Sequence, residues 1–255
     1  IEYSFTFHAY DIYGNNKWFK TLSDNARAAI SISEFNINYV VKKYGASLEK
    51  LKLSRLGVRI PSVVEPGKNN DKIIIGFMSH MEKKKGIPYL MEAFKEIHIR
   101  YPDKFELLIA GDGDEMEFII SFISNNDLTK NVKLLNKIRD KEKTDFYSAI
   151  DFFVLPSITI PNDMDGIPVV LMEAISYGKP VISTNVSGIP EICVNYYDGL
   201  LIQEKNTKEL IEAIEKLAFD LAFRDKLAAN SLQFAISEYD LVKNSHNKLK
   251  QIKWL

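Results

Sequence analysis

From Lys72 onward the chain alternates short, unbroken apolar runs with longer segments whose apolar residues recur every three or four positions, and few architectures accept that alternation. The short runs predict strands over Lys72 to Met78, Phe105 to Ala110, Asn131 to Leu135, Phe152 to Leu155, Pro180 to Thr184 and Leu200 to Ile202. They are rich in Ile, Val, Leu and Phe and lack polar alternation, so both faces of the sheet should be covered, as in a parallel sheet. The longer segments predict helices over Ile87 to Arg100, Glu115 to Asn125, Lys141 to Ile150 and Pro168 to Tyr177. The expected class is α/β, a doubly wound Rossmann-like parallel sheet. Open sheets of this kind bind ligands outside the carboxyl ends of their strands, where the strand order reverses.

A shorter block precedes it. Tyr3 to His8, Ile30 to Ser33 and Lys50 to Leu56 read as strands, with helix-like Leu22 to Ala29 and Glu34 to Lys43 between them. This block is too short for a domain by itself, and it reads as a partial N-terminal Rossmann-like domain. The polar, turn-rich stretch Pro61 to Asn70 marks a linker. We therefore expect residues 1–65 as the partial domain with its linker, 66–235 as the main ligand-binding domain, and 236–255 as a terminal helix crossing back to the first block. The chain opens within a strand-like run, which reads as a fragment whose missing strands come from upstream sequence or a separate chain.

Composition narrows the partners. Thirty-three Lys and Arg against thirty-four Asp and Glu leave a formal charge of −1, so nucleic acid is not an expected partner. Apolar runs fall well short of the ~20 residues of a membrane span. One cysteine, Cys193, allows no internal disulfide and favours a reducing compartment, so a cytoplasmic protein is expected.

The most informative stretch is DGIPVVLMEAISYGKPVISTNVSGIPEI, residues 165–192. Pro168 suits the first position of a helix, and Gly178 suits its end. Orphan amides at such a helix start favour phosphate. Glu173 falls in an otherwise apolar run, where a charge needs a partner, and a carboxylate there can accept hydrogen bonds from two adjacent hydroxyls. Taken singly, an Asp-Gly pair is usually a turn and a helical Glu usually a solvated residue.

In combination these residues resemble the retaining glycosyltransferases of family 4, which have the two-domain GT-B fold. Their signature is an acid, seven residues and a glutamate within a pattern like EGxPxxxxEAxAxGxPVxxTxxGGxPEI. Here Asp165, Gly166, Pro168, Glu173, Ala174, Gly178, Pro180, Val181, Thr184, Gly188, Pro190, Glu191 and Ile192 stand in that register. KKGIPYLMEAF, LLIAGDGDE and DFFVLPS follow the family's other pieces, and FTFHAYDIY and ISISEFNINYV are similar to a subgroup that builds exopolysaccharide and lipopolysaccharide.

The resemblance implies a transferase that moves a sugar from a nucleoside-diphosphate sugar to a saccharide or lipid-linked acceptor with retention of configuration, using no cofactor and no metal. It implies that Glu173 holds the donor ribose, Asp165 contacts the donor sugar, and Gly166, Ile167 and Pro168 line the diphosphate. Lys85 would clamp that diphosphate, with His80 standing where the family has arginine. Gly111 belongs to the glycine-rich turn, and His8 would reach the donor sugar from the opposite domain. Departures from the pattern are His80, the shorter acid Asp165, and Ser187 in place of the first glycine of a pair. Cleavage of a sugar–phosphate bond builds negative charge on the leaving diphosphate, which Lys85 and helix-terminal amides are suited to stabilise.

Asp112-Gly113-Asp114 admits a second reading, a cation-holding D-x-D after a strand. His98 and His246 read as solvated, and Cys193 as a small buried hydrophobe. Lys42, Lys43, Lys50, Lys52, Arg55 and Arg59 form a basic cluster, either a solvated face or a docking patch for a membrane surface that carries the acceptor. The short first block, His80 and Asp165 also fit a non-catalytic nucleotide-sugar-binding scaffold, and a further alternative is a sugar-nucleotide epimerase of related fold, which would convert its donor without an acceptor.

Overall fold

The computed structural model describes residues 2–62 and 71–252. Two parallel sheets carry the chain. The first has three strands, β1 (Ser4–Phe7), β2 (Ala28–Ser31) and β3 (Leu51–Leu53), in the order β1-β2-β3. Helices α1 (Ala9–Ile12), α2 (Phe19–Asn25) and α3 (Glu34–Tyr44) connect them. Phe7, Ile12, Phe19, Ile37 and Val40 form its core, with the Phe7 and Phe19 rings edge to face at 5.0 Å.

The helix expected at Leu22 to Ala29 is displaced. α2 ends at Asn25, and Ala28 and Ala29 pair in register with Ser4 and Phe5. Alanine favours helix locally, but a buried central strand needs small residues between its neighbours, and tertiary packing overrides propensity.

The second sheet has six strands: β4 (Ile73–Met78), β5 (Phe105–Ala110), β6 (Val132–Leu134), β7 (Phe152–Leu155), β8 (Val181–Thr184) and β9 (Gly199–Ile202). All pair parallel in the order β6-β5-β4-β7-β8-β9. The strands expected from the apolar runs are present, with ends moved by a residue or so. Between them run α4 (Ile87–Arg100), α5 (Met116–Asn125), α6 (Asp140–Ala149) and α7 (Val169–Ser176). Pro168 caps α7 with extended ψ instead of occupying its first turn, and Gly178 at φ 63° closes its end.

Strand order reverses between β4 and β7, so the switch point lies at their carboxyl ends. A Cβ at Gly86 would overlap the Pro156 carbonyl oxygen, so the loops leaving these two strands lie in contact.

Beyond β9 the chain is helical: α8 (Thr207–Phe219) packs on α4, α9 (Leu221–Glu238) packs on α7, and α10 (Leu241–Ile252) follows. α10 returns to the first block, where Asn244 Nδ2 donates to the Leu56 carbonyl at 2.8 Å and Gln251 Nε2 to that of Leu53 at 2.8 Å. The boundary expected near residue 65 lies outside the described residues. No described helix is long and apolar enough to cross a membrane.

Candidate functional site

At the switch point the β4 loop brings Lys85 against Asp165. Lys85 Nζ lies 2.6 Å from Asp165 Oδ1, and Ser157 Oγ donates to Asp165 Oδ2 at 2.6 Å. Asp165 is buried at 6% exposure, so both oxygens need these partners. The neighbouring Lys84 pairs with Asp163 at 2.9 Å. Burial alone would lower the Lys84 pKa, yet the Asp163 hydrogen bond and charge hold it above its usual value.

His80, on the same loop, is exposed. Its Nδ1 is 2.7 Å from the Asp112 carbonyl oxygen and 3.5 Å from the Asp112 carboxylate, while Nε2 is 3.7 Å from Glu82. The imidazole thus sits between two carboxylates beside the Gly111–Gly113 turn. Gly111 is at φ 132°, and a Cβ there would overlap the Ser79 carbonyl oxygen, so only glycine lets the loops after β4 and β5 close on each other. His80 and Gly111 are therefore neighbours. Asp112 and Asp114 are exposed, and Asp112 faces His80.

Glu173, in the second turn of α7, points to α6 instead of the Lys85–Asp165 contact. Its carboxylate accepts from Lys143 Nζ at 2.7 and 3.0 Å and from Tyr147 OH at 3.0 Å. Complete desolvation and the adjacent carboxylate push the Tyr147 pKa far up, so the phenol remains a donor. The partner that Glu173 needs is thus supplied from 30 and 26 residues away. Gly166, Ile167 and Pro168 form the bend between the two acids, and Pro168, lacking an N–H, shapes the bend without donating.

His8 caps α1 at the end of β1, its backbone N–H donating to Asp11 Oδ2 at 2.8 Å. The ring is exposed, yet surrounding protein withdraws water and lowers its pKa, against the pull of Asp11 and with the push of Lys248. Ala9, the next residue, lies 3.4 Å from where a Gly166 Cβ would stand. His8 therefore belongs to the seam between the two blocks.

Sequence reasoning missed how that seam is built. Ser33 caps α3, and Glu191 sits on the same helix end: it accepts from Ser33 Oγ at 2.8 Å, from the Glu34 and Phe35 amides at 3.0 and 2.9 Å, and from Arg55 at 2.7 Å. A carboxylate at the positive end of a helix is favourably placed. Burial would raise its pKa, but these donors overcome that and hold it below the usual range. Tyr13 OH bridges Asn36 Oδ1 at 2.5 Å and Ser187 Oγ at 2.6 Å. The one available signal was Glu191 within the PEI end of the motif.

Two surface expectations change. Arg55 is consumed by Glu191, and Lys43 Nζ donates to Tyr13 and Gly14 carbonyls and to Tyr39 OH, so neither belongs to a free basic patch. Lys42, Lys52 and Arg59 are exposed. His98, expected in solvent, is half-buried with Nδ1 enclosed and without a hydrogen-bond partner among the described residues, because it lies on the face of α4 toward the core. Cys193 is fully buried, and burial pushes its thiol pKa well up.

Residues 60–234 match the model of the glycosyl transferases of group 1. The amylovoran biosynthesis glycosyltransferase AmsK of Erwinia amylovora is 32% identical over 183 residues, covering 68% of this chain and 43% of that protein. The capsular polysaccharide biosynthesis glycosyltransferase CapM of Staphylococcus aureus is 30% identical over 167 residues, covering 63% of this chain and 40% of that protein. The chain thus spans less than half the length of these curated relatives. Among solved structures, Anabaena Alr3699/HepE in complex with UDP and glucose superposes with a TM-score of 0.82 at 18% identity, over 99% of this chain and 71% of that one. WaaG, a glycosyltransferase involved in lipopolysaccharide biosynthesis, superposes with a TM-score of 0.74 at 17% identity, over 90% of this chain and 63% of that one. The fold is that of the GT-B glycosyltransferases.

Proposed function

This chain belongs to the group 1 glycosyl transferases, and we propose that it is the donor-binding part of a retaining enzyme that moves a sugar from a nucleoside-diphosphate sugar to a saccharide or lipid-linked acceptor in polysaccharide assembly. The observation that carries this reading is the Lys85–Asp165–Ser157 cluster, because it stands at the topological switch point with the start of α7 beside it. In this reading Lys85, His80 and the amides of Gly166 and Ile167 face the diphosphate, Gly111 leaves room for it, and Glu173 exchanges Lys143 for the two ribose hydroxyls. Asp165 and His8 face the donor sugar from the two blocks.

Bond cleavage leaves negative charge on the diphosphate, and a fixed cation in a partly desolvated site stabilises that charge more than water does. Lys85 is held in place by Asp165 before any ligand arrives, so little reorganisation accompanies the reaction. Several relatives are named for polysaccharide assembly, and UDP is named in the HepE complexes, which supports a nucleotide-sugar donor. A lipid-linked acceptor would bring the protein to a membrane surface, where the exposed Lys42, Lys52 and Arg59 are the cations left to meet it.

One observation favours a second reading, a non-catalytic binder: Lys85 and Asp165 consume each other, and His80 stands between two acids. Thermal stability against UDP, GDP, ADP and dTDP and their sugars, with Glu173→Ala alongside, tests the donor site. At 100 times the dissociation constant a ligand adds about 2.7 kcal/mol. A shift with one base, lost in the variant, is expected; no shift with any sinks the donor site. Transfer of labelled sugar by the whole protein then separates enzyme from binder.

A further inference from the structure

Where α10 returns to the first block it leaves a cleft of about 450 Å³, walled by Ser54 and Arg55 after β3, Glu238 at the end of α9, and Lys243, Asn247 and Lys250 of α10. We infer that this cleft binds a phosphate group, at a site that shares no wall residue with the Lys85–Asp165–Ser157 cluster.

Unspent donors select the ligand class. Lys243, Asn247 and Lys250 stand four and three positions apart, so they form one stripe along the helix. Asn247 and Lys250 have no side-chain partner among the described residues. Lys243 Nζ gives one proton to the Ser237 carbonyl and keeps two. Arg55 is spent on Glu191, and Glu238 is the single carboxylate among the described wall residues, so the two lysines leave the cleft positive. A tetrahedral oxyanion, which only accepts, matches walls that mostly donate. No aromatic ring stands among the described wall residues, so nothing there stacks on a nucleotide base.

A second observation points the same way. Ser54 is 6% exposed, and its Oγ is enclosed with no hydrogen-bond partner among the described residues. A buried hydroxyl left unpaired is costly and uncommon, and a phosphate oxygen in the cleft supplies the acceptor it lacks.

The walls are already fixed in place. The Val58 amide donates to the Tyr239 carbonyl at 2.8 Å and the Leu241 amide to that of Val58 at 3.1 Å, which locks the chain after β3 to the turn between α9 and α10. A Cβ at Gly57 would overlap the Leu241 backbone, so glycine permits this close approach. Asn244 and Gln251, on the Leu56 and Leu53 carbonyls, hold α10 against both ends of residues 53–56. A preformed site loses less on binding than one that must be ordered. Since Ser54 belongs to the first block and the lysines to α10, a bound phosphate adds a link where the chain crosses back.

Side-chain amides report on the cleft. For the whole ¹⁵N-labelled protein the probes are orthophosphate, diphosphate and glycerol 3-phosphate, with acetate at equal ionic strength as the comparison. We expect a phosphate to move the Asn247 and Gln251 side-chain amides and acetate to leave them in place. Lys250→Gln should weaken binding about fivefold and Ser54→Ala about threefold, while Lys250→Arg retains it. Flotation with phosphatidylcholine vesicles, with and without phosphatidylglycerol, separates the two sources of such a group. A response in solution assigns a free phosphate compound. Flotation that needs phosphatidylglycerol and is lost in Lys250→Gln, without a response in solution, assigns a lipid headgroup. Silence toward every probe, an acetate response equal to that of phosphate, or Lys250→Gln binding like the parent would overturn the site.

Discussion

Asp165 and Glu173 belong to one short stretch of chain, yet the protein treats them oppositely. Asp165 is enclosed, with one oxygen on Lys85 and the other on Ser157. The Glu173 side chain keeps 21% of its surface, and its principal partner, Lys143, keeps 36%. A buried acid with fixed partners organises the loops around it, whereas a half-exposed acid on a flexible lysine can change partners at little cost. The stretch thus joins one carboxylate fixed between enclosed partners and one held by a partly exposed lysine.

The largest expected effect follows from removing the enclosed acid. Asp165→Ala leaves Lys85 facing no counter-charge and should cost up to about 5 kcal/mol in denaturant unfolding. Glu173→Ala should cost roughly 1 kcal/mol or less, since Lys143 can turn to water. Equal losses would break the contrast.

A third carboxylate, Asp198, serves as the control: it is buried and pairs with no cation among the described residues. Oδ1 accepts the Val194 amide at 2.6 Å, while Oδ2 is enclosed with no partner among the described residues. Desolvation pushes its pKa from 3.8 up to about 7. A carboxyl raised on folding binds its proton more tightly in the folded state, so stability falls as pH rises from about 4 to about 7. Roughly three pKa units correspond to about 4 kcal/mol. Asp198→Asn should flatten that decline, read as the difference in unfolding free energy between pH 5 and pH 8 for the two proteins. Parallel pH curves would show that burial alone does not separate the acids.

Much of the fold could be read from local pattern, because buried parallel strands are apolar without interruption and α4 keeps its apolar period from Ile87 to Arg100. That Glu173 needed a partner was also legible. Which partner was not, since Lys143 sits in a polar helix, DKEKTDFYSA, indistinguishable by pattern from a solvated one. The Glu191 contacts with Ser33 and Arg55 span 158 and 136 residues, and nothing local records them. The α2 error has the same origin, since alanines that favour helix were taken by a strand whose neighbours are set elsewhere in the chain.

Glu191 extends the contrast to the seam between the blocks. Its carboxylate is partly enclosed by four donors, so it should behave more like Asp165 than Glu173. Glu191→Gln is expected to cost about 2 kcal/mol, in the range of hydrogen bonds to charged groups. The held-down pKa sets the sign with pH: this contribution is present above the usual glutamate range and is lost as pH falls through the lower folded-state value, opposite to Asp198. Acid titration of the parent and the variant should therefore converge at low pH. Curves that stay apart would assign the loss to packing and not to the charge.

Ser187 gives the smallest and most finely balanced test. The position is left-handed, φ 52°, which explains why the resembling pattern has glycine there. Serine accepts a strain of roughly 1–2 kcal/mol at such a φ. It gains in return the hydrogen bond with Tyr13 across the seam, worth about 1 kcal/mol, and less chain entropy is lost on folding than with glycine. Ser187→Gly should therefore change stability by roughly 0.5 kcal/mol or less. A gain well beyond that would mean the backbone strain dominates and the Tyr13 bond holds little. A loss as large as that of Glu191→Gln would mean the seam depends on its hydroxyl bridge as much as on its charge, and Tyr13→Phe should then match it.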